Sequence, residues 1–275
     1  MNTVENATIE TDDELDTVSD QSSAVVGFGD IFDEPAGFRP ATPPPTFHKF
    51  ERINKLPNEL NIKLIGSHSL WSHCLWNAGV FLAKHFDNNP DLVNGKNVLE
   101  LGAAASLPSF IAAANNAKKV VITDYPDAPI IDAILENAKN NLPEFLGKNK
   151  IFVKGYLWGQ EVNPLLNLLN PGEKFDLVIM SDLIFNHSEH IHLLETATKC
   201  LSEKNENNNP EVLVAFSSHR PWLAEKDLNF FNLAQKEPFN FHVEHLFDTK
   251  MNAMFPEDPG DLEIRETVKL YRMTR

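Results

Sequence analysis

A run of small residues follows a short apolar segment and has the composition of a ligand-binding turn. Residues 98–109 read VLELGAAASLPS, in which Gly102 allows a sharp turn and the alanines after it leave the backbone open to close approach. In an open α/β sheet, ligands bind beyond the carboxyl ends of the strands, near such a strand-to-helix turn. Residues 98–109 therefore predict a small-molecule site.

The glycine spacing separates two classes of cofactor that use this kind of turn. A dinucleotide site requires G-x-G-x-x-G, but Ala104 and Leu107 occupy the second and third glycine positions. S-adenosylmethionine has no phosphate and requires a close backbone approach and an acid for its ribose hydroxyls. Asp124 ends the next apolar segment and supplies that acid. We predict S-adenosylmethionine as the cofactor; the alternative is that Asp124 only caps a helix beginning near Asp127.

The hydrophobic pattern predicts the scaffold that positions these residues. From residue 97 onward, short apolar runs alternate with longer helical segments, which indicates right-handed crossovers and a mainly parallel sheet covered on both faces. The last two strands follow each other without a clear helix, so we expect antiparallel pairing at one end of the sheet. The predicted strands are Thr46–Ile53, Leu60–Ile65, Asn97–Leu101, Lys119–Thr123, Ile151–Tyr156, Phe175–Ser181, Glu211–Ser217, Asn240–Asp248 and Glu263–Tyr271. The predicted helices are Trp71–Phe86, Leu107–Asn116, Ala128–Asn141, Asn163–Leu169, His187–Leu201 and a segment from Pro221 to about Gln235.

Several short segments together resemble one enzyme family. They are LWSHCLWNAG (70–79), VLELGAAASLPS (98–109), TDYPD (123–127), GYLWG (155–159), FDLVIMSDLIFNH (175–187) and SHRPW (218–222). The chain resembles the seven-β-strand, class I methyltransferases that modify lysines of non-histone proteins, in particular the fungal-type enzymes acting on elongation factor 1-alpha. The resemblance implies a Rossmann-like seven-stranded sheet with an antiparallel last strand, helices on both faces and a short N-terminal β/α extension.

The resemblance also implies which residues hold the cofactor. Asp124 would bind the ribose hydroxyls, Trp158 would lie beside the adenine, and Trp76 would lie over the cofactor, with Trp71 as a second candidate. Without the resemblance, Trp76 and Trp158 are better explained as core aromatics. The family usually has glycine at positions 104 and 106, so the Cβ atoms of Ala104 and Ser106 narrow the backbone approach. The full implied cofactor set is Trp76, Trp71, Gly102, Ala103, Ala104, Asp124, Trp158 and Ser181.

Asp182 and Phe185 are the catalytic residues that the resemblance implies. They match the D-x-x-Y/F signature with which these enzymes orient the substrate amine. Asp182 would accept a hydrogen bond from the amine nitrogen, and Phe185 would line the methyl-transfer channel. The alternative is a helix N-cap followed by a buried phenylalanine.

Two segments that contain histidines are further candidates for a metal site or a substrate contact. His187, His190 and His192 do not have the spacing of a zinc motif, so we predict no metal. His219 begins the segment that ends at Trp222 and follows a predicted strand. This segment either overhangs the substrate side of the pocket or is a turn anchored by Pro221.

Charge is concentrated at the N-terminus. The 275-residue chain has a net charge of −15, and residues 1–34 contain ten acidic residues and no lysine or arginine. We expect residues 1–45 to be an acidic, proline-rich disordered tail and residues 46–275 to be a single methyltransferase domain. The tail could attract a basic protein substrate at low salt.

The remaining composition excludes other classes. No window has the apolar length of a membrane helix, and no secretory signal is visible, so we expect no membrane association. The acidic balance argues against nucleic acid as a partner. Two cysteines provide neither a disulfide framework nor a zinc site, which favours a cytoplasmic location.

These observations lead to three hypotheses about function. The leading one is an S-adenosylmethionine-dependent protein N-methyltransferase that acts on the N-terminal α-amine, a nearby lysine, or both, with elongation factor 1-alpha as the implied partner. The second is a small-molecule N-methyltransferase of the nicotinamide type. The third is a member that binds cofactor without turnover.

Overall fold

Nine strands and eight α-helices are formed by the residues that the structure describes. The structure is a computed structural model and describes residues 42–53, 55–206 and 208–275. The strands are β1 (Thr46–Glu51), β2 (Glu59–Leu64), β3 (Asn97–Leu101), β4 (Lys119–Asp124), β5 (Ile151–Gly155), β6 (Leu177–Ser181), β7 (Glu211–Phe216), β8 (His242–Lys250) and β9 (Thr267–Thr274). The helices are α1 (Asn77–Asn88), α2 (Leu107–Ala114), α3 (Ala128–Asn141), α4 (Pro143–Gly147), α5 (Asn163–Leu166), α6 (His190–Cys200), α7 (Ala224–Ala234) and α8 (Leu262–Glu266).

Seven of the strands form one mixed sheet in the order β5-β4-β3-β6-β7-β9-β8. Strands β3 to β7 pair in parallel, and β9 is antiparallel to both β7 and β8. The predicted Rossmann-like sheet with an antiparallel last strand is confirmed. Strand order reverses between β3 and β6, so the carboxyl ends of these two strands flank the switch point at which such folds bind ligands.

The central strands are buried on both faces and divide the core into two layers. Val98 and Ile122 pack into one hydrophobic cluster, whereas their neighbours Leu99 and Val121 pack into the other. Successive side chains of a strand point to opposite faces, so each strand contributes to both clusters. Helices α1, α2 and α3 supply residues to the first cluster, and α6 and α7 supply residues to the second.

The predicted N-terminal extension is a β-hairpin docked on the helices of the first layer. The pattern predicts two short strands here, and the structure pairs β1 and β2 antiparallel. Arg52 follows β1, and its buried guanidinium contacts the carboxylate of Asp87 at 2.9 Å and Asn115 Oδ1 at 2.7 Å. Removing one partner of such a buried pair typically costs 3–5 kcal/mol, so this ion pair fixes the hairpin to α1 and to the end of α2.

Some predicted boundaries were wrong. The helix expected over Trp71–Phe86 begins only at Asn77, because Trp71 has a φ of 59° and Trp76 is extended, which places residues 71–76 in turns. The helix expected from His187 opens with a 3₁₀ turn. The last strand begins at Thr267 instead of Glu263, since α8 occupies the preceding residues and Asp261 caps it by accepting from the Glu263 amide.

The expected division into a tail and a single domain falls partly outside the described residues. The predicted tail lies outside the described residues up to position 41, while residues 42–275 form one compact unit by their contacts. Within the described ranges, no helix is both long and apolar enough to cross a membrane.

Candidate functional site

Asp124 fixes the turn after β3. Its Oδ2 accepts a hydrogen bond from the Ala104 amide at 2.7 Å, and its Oδ1 accepts one from the Tyr125 amide at 2.7 Å. Burial raises the pKa of this carboxyl, and the two amide donors act in the opposite direction. Asp124 does not cap α3, because the first turn of that helix receives no side-chain cap. The carboxylate therefore joins the ends of two neighbouring strands.

The turn itself has an unusual backbone. Gly102, Ala104 and Ser106 have φ angles of 57°, 42° and 57°. Left-handed conformations cost a residue with a Cβ atom roughly 1–2 kcal/mol, so the backbone at Ala104 and Ser106 is strained where that at Gly102 is not. A Cβ at Gly102 would lie 2.6 Å from Leu183 Cδ2 and 3.1 Å from Trp158 Cζ2, so these two side chains close over the turn.

Glu100 is a buried acid directly beneath the turn. Its Oε2 accepts from the Ser109 amide at 3.2 Å, and its Oε1 has no hydrogen-bond partner among the described residues. Burial raises the pKa of Glu100 to about 8. The side chain is therefore mainly protonated in the folded protein at neutral pH.

Glu100→Gln should change how stability depends on pH. The unfolded chain ionises Glu100 near its ordinary value of 4.5, whereas the folded chain keeps the proton up to about pH 8. Stability contributed by this group is therefore present at low pH and declines across that window, by up to roughly 1.4 kcal/mol per pH unit. Urea unfolding at pH 5.5, 7 and 8.5 should show a smaller decline for Glu100→Gln. The exposed Glu161→Gln variant is the control, and equal slopes in all three proteins would contradict the prediction.

An aromatic cluster lies at the carboxyl ends of β6 and β7. The Trp76 ring lies 6.4 Å from that of Phe185, 5.1 Å from that of His219 and 6.0 Å from that of Phe255. Trp71 is half exposed and meets Phe255 edge-on at 5.9 Å. We call Trp71, Trp76, Phe185, His219 and Phe255 the aromatic cluster. Its faces can hold an organic cation by cation–π attraction.

Asp182 anchors this cluster from below. It adopts a φ of 52°, its Oδ2 accepts from the Ala78 amide at 3.2 Å, and its Oδ1 accepts from the Ser217 amide at 2.9 Å. His219 Nε2 lies 3.4 Å from the same Oδ1. The acid therefore joins the start of α1 to the end of β7, which is a structural task that the sequence motif does not reveal.

The structure gathers the predicted residues into two adjacent groups. The turn group contains Gly102, Ala103, Ala104, Asp124 and Trp158, and the aromatic group contains Trp71, Trp76, Asp182 and Phe185. Ser181 directly precedes Asp182, and its Oγ lies 3.6 Å from the position of a Cβ on Gly79 in α1. Sequence reasoning missed Phe255, whose loop carries no motif and whose position depends on tertiary packing.

The histidines after β6 have individual partners. His187 contacts Asp227 Oδ1 at 2.7 Å, His190 Nε2 contacts the Ile184 carbonyl at 2.7 Å, and His192 contacts Glu189 at 2.9 Å. Within the described part of the chain, no group of three or more His, Cys, Asp or Glu residues could hold a metal ion.

Comparison with known proteins identifies the family. A family model described as lysine methyltransferase matches residues 55–237. The chain belongs to this family. It is 46% identical over 255 residues to "Protein N-terminal and lysine N-methyltransferase efm7" of Schizosaccharomyces pombe, covering 90% of this chain and 95% of the relative. It is 43% identical over 251 residues to the protein of the same name from Candida glabrata, covering 89% and 94%.

A solved structure shares the fold of this lysine methyltransferase family member. P. horikoshii TYW2 in complex with MeSAdo matches with a TM-score of 0.51 and 18% identity, over 84% of this chain and 72% of that one. The likeness concerns the fold alone. Together with the family match, these findings confirm the resemblance and the assignment of the chain as a methyltransferase.

Proposed function

We propose that this protein transfers methyl groups from S-adenosylmethionine to the N-terminal α-amine, a nearby lysine, or both, of elongation factor 1-alpha. The observation that carries the proposal is the position of Leu183, which lies between Asp182 and Phe185 in the chain and packs on Gly102 in the turn. Leu183 and Trp158 pack on Gly102, while Asp182 and Phe185 continue from the same strand end into the aromatic cluster. A cofactor held by the turn would thus lie near aromatic side chains suited to an amine.

The residues around the turn fit S-adenosylmethionine. Asp124 is held in place by two backbone amides, and each of its oxygens retains a lone pair that can accept from a ribose hydroxyl. Gly102 lets the chain pass close under Trp158, whose ring can cover an adenine. When bound, the cofactor supplies an electrophilic methyl group.

The task left to the protein is to hold a neutral amine in line with that methyl group. An ammonium has no lone pair, so the substrate must lose a proton before it can attack. An α-amine with a pKa of about 7.7–8.0 is neutral far more often at pH 7 than a lysine near 10.4. The N-terminal amine is therefore the easier target, and correct positioning supplies much of the rate.

The decisive experiment compares acceptors directly. Purified full-length protein is incubated with radiolabelled S-adenosylmethionine and, separately, unmethylated elongation factor 1-alpha or nicotinamide. Label in the translation factor, mapped by mass spectrometry to its N-terminal peptide, is the expected result. Label in the nicotinamide fraction alone would support the small-molecule alternative. Cofactor binding by calorimetry without label in either acceptor would support the non-catalytic alternative.

The proposal extends to location and to the acidic tail. Cys74 and Cys200 are free thiols, which suits a reducing cytoplasm. The −10 charge of residues 1–34 would attract a basic substrate surface, and this attraction weakens with salt. A protein that starts near Thr46 and transfers methyl groups as fast as the full chain at both low and high salt would leave the tail no role in substrate attraction.

A further inference from the structure

His219 occupies a largely buried position between Asp182 and two other rings of the aromatic cluster. Its side chain is 12% exposed, and its ring lies 5.1 Å from Trp76 and 6.1 Å from Phe255. Its Nε2 is fully buried and makes no hydrogen bond to any described residue, although Asp182 Oδ1 lies 3.4 Å away. An imidazole with an unsatisfied buried nitrogen beside other aromatic rings requires an explanation.

The charged neighbours of His219 are few and mostly engaged. Asp182 contacts it from the end of β6. Arg220 is directed away, because its guanidinium donates to the Phe185 carbonyl at 3.0 Å. Asp227 of α7 is occupied by Ser218 Oγ and by His187, both at 2.7 Å. Trp76 and Phe255, from the elements packed against the ring, carry no charge.

We propose that His219 accepts the proton that the substrate amine must lose before methyl transfer. This inference rests on the proposed function, which requires the amine to lose a proton but does not say which group accepts it. The carboxylate of Asp182 favours a proton on the facing Nε2, which leaves the lone pair on Nδ1. The N–H bond of the ammonium breaks, its electron pair stays on the amine nitrogen, and the proton binds to Nδ1. The imidazolium then releases this proton to solvent, so the acceptor is restored for each further methyl group.

The aromatic surroundings explain why an internal acceptor is useful. Trp76, Phe185 and Phe255 present apolar faces in the aromatic cluster and carry no group that could take a proton from a bound amine. The neutral imidazole of His219 has one ring nitrogen with a free lone pair, and this nitrogen can take the proton. Asp182 acts through His219 and is a positioning residue in this step.

The first test follows methyl transfer to an N-terminal peptide of elongation factor 1-alpha from pH 6 to 9.5. His219→Gln should lower kcat at pH 7 by about 100-fold, a typical effect of losing a general base. The loss should shrink above about pH 8, where the amine deprotonates in solution. His242→Gln is the matched control, because His242 is exposed and pairs with Thr274 at the opposite end of the sheet.

The second test measures the protonation and the tautomer of the His219 imidazole in the absence of methyl transfer. Nitrogen NMR of the protein with S-adenosylhomocysteine should show a neutral His219 ring protonated on Nε2 at pH 8, and Asp182→Asn should shift this tautomer balance. A ring protonated on Nδ1, or one that stays charged at pH 9, would overturn the proposal. So would a His219→Gln enzyme with the wild-type pH profile and rate. A wild-type protein that methylates no protein amine at any pH would instead refute the proposed function, and the base assignment with it.

Discussion

Asp124→Ala is expected to weaken the binding of S-adenosylmethionine by at least about 100-fold. Hydrogen bonds to a charged group contribute about 1.5–3 kcal/mol each, and two bonds to the ribose would be lost together. The substitution also removes the acceptor of the Ala104 amide, so the strained turn loses the contact that holds it against β4. Calorimetric titration of the full-length protein with the cofactor and with S-adenosylhomocysteine measures the effect.

Two further variants make the Asp124 result interpretable. Asp132→Ala makes the same chemical change at an exposed position on α3 and should bind cofactor like the wild type. Asp124→Asn keeps one carbonyl oxygen for the Ala104 amide but cannot accept from both ribose hydroxyls while holding the turn. Its affinity for the cofactor should therefore lie between those of Asp124→Ala and Asp132→Ala. A Kd for Asp124→Ala within threefold of the wild type would refute the placement of the ribose.

The sheet could be predicted from the sequence because its elements carry strong periodic signals. Strand β3 and helix α3 begin and end where the hydrophobic pattern places them. Short apolar runs that alternate with helical segments predict parallel strands joined by right-handed crossovers. In such a sheet, ligands bind at the carboxyl ends of the strands. Asp124 follows from that reasoning, because it ends a buried strand at the predicted edge.

The missed features depend on contacts that are distant in sequence. Residues 71–76 are predicted as the start of a helix, yet Trp71 is left-handed, and its ring instead packs on Phe255, which lies far along the chain. Asp182 accepts from the Ala78 amide, 104 positions away. No local pattern encodes such pairs, so the sequence located the aromatic cluster only in part and did not reveal the bonds of Asp182 to the Ala78 and Ser217 amides.

The hydrogen bonds that Asp182 accepts predict a different effect of Asp182→Ala than the sequence motif predicts. The motif predicts that Asp182→Ala depresses methyl transfer and spares cofactor binding. In the structure, the substitution leaves the buried amides of Ala78 and Ser217 without their acceptor, at about 1–3 kcal/mol each. Alanine is also disfavoured at a φ of 52°. We therefore expect the free energy of unfolding to fall by about 2–5 kcal/mol, measured by urea denaturation, with Asp132→Ala unchanged.

Asp182→Asn separates the two tasks of this residue. Asparagine tolerates the left-handed backbone and keeps one acceptor oxygen, so it should lose only about 1–3 kcal/mol and remain folded in the assay. Its amide is neutral, however, and cannot favour a proton on His219 Nε2 as a carboxylate does. The variant should therefore bind S-adenosylhomocysteine like the wild type while its kcat at pH 7 falls at least about tenfold. If Asp182→Asn instead loses cofactor affinity and kcat together, Asp182 serves the fold alone; if it loses neither, the carboxylate charge has no part in transfer.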